Sequence, residues 1–324
     1  MKFFPQPIAW SSPRAVTAII VLVLLTVLPL LATAFDASYY VSLTTRILIY
    51  ALAAIGLNLI LGFGGMVSLG HAMYVMLGAY AVAIPASHGI TSGFMQLAIA
   101  ISITALLAAA VGAASLRTTG IAFIMITLAF AQMLFFGAVG LKDYGGDDGM
   151  TVAARSSFGL FDLSHNVTLY YAAFIAVLVA LYLSWRAVLS PFGLVLRGSK
   201  ANARRAIALG HPIFQYQLVA YIASAVVCAV SGALLANLTL FASPSYGAWT
   251  VSGELIVIVI LGGFGTVFGP VVGAIILLAL EEALPTLIEL FLPDYKSNWM
   301  LLLGLFIFVV ALVLKRGVFG SLKP

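Results

Sequence analysis

From Arg46 to Arg117 the chain carries no charged residue, and the same is true from Arg117 to Lys142 and from Arg205 to Glu254. A water-soluble globule is coated by charges that make up about 25% of its residues. Here 15 Lys and Arg with 10 Asp and Glu amount to 8% of 324 residues, against 63% hydrophobic residues. The mean hydropathy of +1.17 agrees. Cytosolic enzymes and disordered chains are excluded by this composition. Each charge-free run is long enough for a membrane crossing, since about 20 apolar residues span the hydrocarbon. Barrel strands of roughly 10 residues would alternate polar and apolar positions, and these runs do not. The expected fold class is an all-α, polytopic transmembrane helical bundle of about ten spans.

Hydropathy and the Gly, Pro and polar breaks put crossings near 15–35, 42–61, 67–85, 94–115, 120–140, 168–186, 216–240, 254–262, 270–291 and 299–314. The eighth is too short to cross alone. A positively charged start before the first run resembles a signal peptide, but no small-residue cleavage site followed by a soluble chain appears, so it reads as a helix. The net charge of +5 reports topology rather than a nucleic-acid partner. With the N-terminus inside, Lys2, Arg14, Arg117, Arg186, Arg197, Lys200, Arg204, Arg205, Lys315, Arg316 and Lys323 are cytoplasmic. Only Lys142, Arg155 and Lys296 fall outside, with Arg46 at a membrane edge. One transmembrane domain over 1–324 follows, with N-terminal helices over 15–140, an external loop over 141–167 and C-terminal helices over 168–315. The external loop holds Asp143, Asp147, Asp148 and Asp162 and a turn-forming run from Tyr144 to Gly149. Both termini are expected in the cytoplasm.

No chemistry-bearing motif stands out. There is no G-x-x-x-x-G-K-[ST] phosphate loop, no H-E-x-x-H and no G-x-S-x-G elbow. His71, His88, His165 and His211 are scattered, and the single Cys228 lies in an apolar run. The expectation is a non-enzymatic chain with no cofactor and no metal.

Three segments break the apolar pattern. In the first, Gly56 to His71, the glycines Gly62, Gly64, Gly65 and Gly70 interrupt a helix at membrane depth. Non-helical backbone is tolerated there only when buried in protein or lining a watery cavity. Asn58, Gly62, Gly65, Ser68 and His71 are therefore candidates for a translocation pathway, while close packing through small residues explains the same glycines. The second, Leu261 to Ala274, contains Gly262, Gly263, Gly265 and Gly269 before Pro270. It reads as a re-entrant turn followed by a helix start, and its glycines join the pathway candidates. The two clusters also align at an offset of 200, with Ile60-Leu61-Gly62 on Ile260-Leu261-Gly262, Gly65 on Gly265 and Val67 on Val267. Such a repeat would be parallel.

The third segment, 190–212, is bounded by Pro191 and Pro212. Arg197 to Leu209 can form one short helix with Ala201, Arg204, Arg205 and Ala208 on one face, and Gly210 suits its C-cap. A plain positive loop explains the basic residues, but the bounded helix also suits docking into a cleft of another protein.

These segments together, with the turn Leu116-Arg117-Thr118-Thr119-Gly120, resemble the inner-membrane permeases of branched-chain amino acid ABC transporters, of the M-type. The resemblance runs from about 46 to 315. It implies a permease that moves small amino-acid-like solutes, branched-chain amino acids first. It also implies a second permease, two cytosolic ATPase subunits, a periplasmic solute-binding protein and a lipid environment in the bacterial inner membrane. The ATPase coupling loop would then carry Arg197, Ala201, Arg204, Arg205, Ala208, Leu209 and Gly210. Asn202, Ala203 and Arg204 stand where the family commonly has acidic residues. Similar permeases serve urea, short amides and other amino acids. From the residues alone, a proton- or ion-coupled secondary carrier remains the rival class, with Glu254 as the acid nearest the midplane. A membrane scaffold would not need helices so broken by glycine.

Overall fold

The structure is a computed structural model that describes residues 13–34, 38–159, 163–291, 299–314 and 316–322. Lys2, Asp162, Lys296, Lys315 and Lys323 of the charge pattern lie outside the described residues. Among the described residues, ten apolar helices follow the expected order. They are α1 (Pro13–Ala34), α2 (Ser38–Asn58), α3 (Ala72–Ser87), α4 (Gly93–Ser115), α5 (Ile121–Gly140), α6 (Asn166–Leu189), α9 (Ile213–Thr239), α10 (Trp249–Gly262), α11 (Gly269–Phe291) and α12 (Trp299–Val313). Three short helices, α7 (Pro191–Ala201), α8 (Ala203–Ala208) and α13 (Val318–Ser321), lie between or after them. Seven are long and apolar enough to cross a membrane by length and composition, α2 together with the π turn that ends it; α3, α10 and α12 are shorter.

At the centre stands α2. A helix that is apolar all round belongs in a core, and α2 is buried from Ile47 to Asn58 apart from Tyr50. It packs on α9, α6, α11 and α10. Against α9 also lie α3 and α4, through small residues that let backbones approach. The residues Gln96, Ala100, Thr104, Ala108, Val111, Gly112 and Ser115 form the buried face of α4, and lipid-type side chains such as Phe94, Ile103 and Leu106 cover the other.

Most of the described basic residues gather at one end, with Arg46, Lys142 and Arg155 toward the other. At the basic end Arg14 donates to the carbonyls of Gly320 and Leu322 at 2.8 and 2.9 Å. The opposite end carries the α5–α6 loop, which is more ordered than a run of turns. Its strand β1 (Met150–Thr151) pairs antiparallel with β2 (Phe241–Ala242), register Met150 to Ala242 and Thr151 to Phe241. Farther along, the Ser157 amide and carbonyl bond Thr91 and Gly93. The loop is thus sewn to the ends of α9 and α4.

Two expected crossings differ in form. The span expected from 67 becomes helical only at Ala72, so 64–71 travels from the basic end into the interior without helix. The segment expected at 254–262 starts at Trp249, and β2 with a 3-10 turn at Pro244–Gly247 carries the chain down to it. One crossing is therefore coil then helix, the other coil with a short turn, then helix in the opposite sense. Their helices begin side by side, where the Ala72 amide donates to the Ser252 hydroxyl at 2.9 Å.

A third difference is a correction. The single helix expected over Arg197 to Leu209 is two helices, divided at Asn202. Asn202 is extended (φ −161°) and caps α8, its side-chain oxygen accepting from the Arg205 amide at 3.0 Å. Asparagine is among the best N-cap residues, and the cap is stronger than the pull to continue α7. Ala201 therefore leaves the face shared by Arg204, Arg205 and Ala208. At the far end, Gly210 (φ +83°) donates to Ile207 and His211 to Ala206, which closes α8 with the paired bonds of a glycine C-cap.

Candidate functional site

Asn58, Gly62, Gly65, Gly262, Gly263, Gly265 and Gly269 converge at the basic end. The last turn of α2 widens into a π turn, Leu59–Phe63, a form enriched at functional sites. Asn58, at its start, donates to the Thr266 carbonyl at 2.8 Å and accepts from the Gly265 amide at 3.4 Å. One buried carboxamide therefore ties the first glycine segment to the second. The two turns share a backbone form, with φ +72° at Gly65 and +73° at Gly265. Both follow helices that run toward the basic end.

Close approach explains most of the other glycines. A Cβ on Gly262 would stand 1.9 Å from the Gly269 carbonyl oxygen, and one on Gly317 would stand 2.5 Å from Gly263 Cα. Thr266 Oγ1 donates to the Gly263 carbonyl and accepts from the Gly269 amide, closing the turn onto α11.

Ser68 and His71 lie apart from this knot, deeper in the bundle. Both are fully buried, and His71 Nδ1 is 3.0 Å from Ser68 Oγ. The His71 ring meets those of Tyr74 and Tyr221 edge-on at 5.5 and 5.3 Å, and the two tyrosine hydroxyls bond at 3.2 Å. His71 Nε2 has no hydrogen-bond partner among the described residues. This polar pocket of side chains sits where α3 and α10 begin, and Gly70 presses on the Thr127 carbonyl of α5.

Of the 190–212 segment, Arg197 faces inward and donates to the carbonyls of Gly193 and Val188, fastening α7 to the end of α6. Gly193, Leu196 and Ser199 of α7 are buried as well. Ala201, Arg204, Arg205, Ala208, Leu209 and Gly210 are exposed, and so is Ile207, while Ala206 packs inward. Ile207 and Leu209 thus expose large apolar side chains beside two arginines at the end of the molecule.

Sequence reading missed Lys200. Its ammonium donates to the Gly62 carbonyl at 2.7 Å and stands 4.1 Å from the centre of the Phe264 ring. The side chain as a whole is exposed, but partial desolvation against Gly62 and Phe264 holds its pKa below the ordinary lysine value. Tyr74, Tyr221 and Ser252 were also missed. A polar residue inside an apolar run was the available signal for all three.

Two features belong to the opposite half. Arg46 lies over the Tyr50 ring at 5.6 Å. Glu254 Oε1 is shielded and lacks a hydrogen-bond partner among the described residues. Beneath the α5–α6 loop, a cavity of about 160 Å³ lies between α4 and α6 over α9. Its polar lining, Gln96, Ser156 and Asn237, is bonded internally.

Among known proteins, a family described as the permease component of the branched-chain amino acid transport system matches residues 39–312. The high-affinity branched-chain amino acid transport system permease protein LivM of Escherichia coli K12 is 25% identical over 312 residues, covering 88% of this chain and 71% of that protein. LivM of Salmonella typhimurium LT2 is 24% identical over 309 residues with the same coverage. No solved structure matches the chain. The family match takes in the π turn, both glycine segments and the α7–α8 segment in one continuous stretch, and the chain belongs to the branched-chain amino acid transport system permease components.

Proposed function

We propose that the chain is the permease subunit of a binding-protein-dependent ABC importer, acting as one transmembrane domain with both termini in the cytoplasm. Branched-chain amino acids are its first-choice solutes. ATP is hydrolysed by two separate cytosolic subunits, a periplasmic protein delivers the solute, and a second permease completes the path. The observation that carries this reading is the α7–α8 segment. It connects two long apolar helices at the basic end, exposes Ile207 and Leu209 outward, and touches the π turn of α2 inward. An ATPase seated on α8 would thereby act on a discontinuous helix.

The solute path runs beside the two glycine-broken segments. Ser68 and His71 supply its polar groups at depth, and Asn58 with Gly62, Gly65, Gly262, Gly263, Gly265 and Gly269 form its gate at the basic end. Proteoliposomes holding the chain with its ATPases and binding protein test the reading. Leucine, isoleucine and valine should enter only with internal-facing ATP, and urea and acetamide should not compete. Uptake driven by a proton gradient without ATP would instead favour the secondary carrier, for which the shielded Glu254 carboxylate is the supporting observation.

A further inference from the structure

Lys200, on α7, touches both glycine segments. Its stem lies along Gly65, so close that a Cβ there would be 2.7 Å from Lys200 Cγ. Its ammonium bonds Gly62 in the π turn, and the ring beneath it is Phe264, between Gly263 and Gly265. The last carbonyls of a helix have no partner within it and carry negative partial charge, so a cation at the end of α2 is well placed. A cation over an aromatic face gains further attraction. All three contacts are to neutral groups. A carboxylate partner would hold the charge in place against movement, whereas a lysine held by a carbonyl and a ring returns to water when the contact opens.

We propose that Lys200 is the positioning residue that moves the two glycine turns as a unit with the α7–α8 segment, by bonding the Gly62 carbonyl and bearing on Phe264. The proposal rests on the importer reading and deepens it, since it names where the ATPase stroke enters the spans. Asn58 already clamps one turn to the other, so a single pin suffices to carry both.

The test uses the assembled transporter in proteoliposomes, with leucine uptake and ATP hydrolysis measured on the same preparation. Lys200→Met keeps the stem and removes the charge. It should retain its ATPases and their hydrolysis while leucine moved per ATP falls about tenfold, within the usual range of coupling between sites. Lys200→Arg should restore much of that ratio. A lysine that only stabilised the fold would lower uptake and hydrolysis together and leave the ratio unchanged, which would overturn the proposal. Phe264→Leu, at an exposed ring, should lower the same ratio more mildly, and it decides the matter if Lys200→Met does not assemble; a wild-type ratio there overturns the proposal. A wild-type complex that does not couple ATP to uptake would sink the importer reading and the role of Lys200 with it. A coupled wild type beside an equally coupled Lys200→Met sinks the role of Lys200 alone.

Discussion

Replacing Gly78 by alanine should open one of the closest helix pairs in the bundle. A Cβ on Gly78 of α3 would stand 1.9 Å from the Ala229 carbonyl oxygen of α9, and a Cβ on Gly232 of α9 would stand 1.9 Å from the Val75 carbonyl oxygen of α3. Neither obstacle is a side-chain tip that could swing away. Cβ contacts below 3.0 Å essentially do not occur, so the two backbones must part by about 1 Å along a helix pair that carries much of the core. Overpacking of that kind costs roughly 1–3 kcal/mol. The comparison is Gly137→Ala on α5, where nothing lies within 4 Å; the better helix former should stabilise by about 0.5–1 kcal/mol. Denaturant unfolding of the purified protein in lipid–detergent micelles, followed by tryptophan fluorescence, measures both. Since both contacts lie at one crossing of α3 and α9, where a single separation relieves both, the double substitution should cost less than the sum of the two. Wild-type stability in Gly78→Ala, or equal losses in Gly78→Ala and Gly137→Ala, would refute the close-packing argument.

Cysteines placed singly at Asp147 and Ala203 should react with an impermeant maleimide from opposite sides of the membrane; labelling from one side overturns the sidedness. Ala208→Glu puts a charge beside Ile207 and Leu209 and should release the ATPases from the purified complex, whereas Arg205→Gln should be mild because exposed ion pairs are worth about 0–1 kcal/mol. Retention of ATPases by Ala208→Glu would remove α8 from the contact. Asn202→Ala deletes the cap of α8, a loss of about 1 kcal/mol, and hydrogen exchange should quicken over 203–208 while α7 is unaffected; unchanged exchange would show the cap to be idle.

Charge-free runs made the spans legible, because the bilayer excludes charge regardless of how helices pack. Glycine and proline marked both broken segments and the Gly210 cap, since each of those residues acts through its own backbone. Depth was harder to read. Val67 and Leu69 adjoin the apolar run that follows, so hydropathy began the third span too early, and the start at Ala72 is marked by a bond to Ser252, far along the chain. The Asn202 break had a local signal in the cap preference of asparagine, which the helical spacing of Ala201, Arg204 and Ala208 outweighed in the sequence reading. Lys200 had none. As one cation in a basic loop it looks like its neighbours, and only the fold brings it to Gly62 and Phe264. The pairing of β1 with β2 was hidden for the same reason, as two residues on each side carry no period.

The bonds from Arg14 to Gly320 and Leu322 bear on the order in which the molecule can be completed. At about 5–20 residues per second, the partners of this guanidinium are translated on the order of 15–60 s after it. Until then α1, which packs chiefly on α2 and α6, is held near the bundle by its apolar surface and by the Tyr170 and Tyr171 hydroxyls, which donate to the carbonyls of Leu25 and Thr26. The earliest of the described helices to be made is thus among the last to have its end fastened, and a ribosome stalled before residue 320 should leave the basic end of α1 loose, open to capture by a membrane chaperone or by the wrong neighbour.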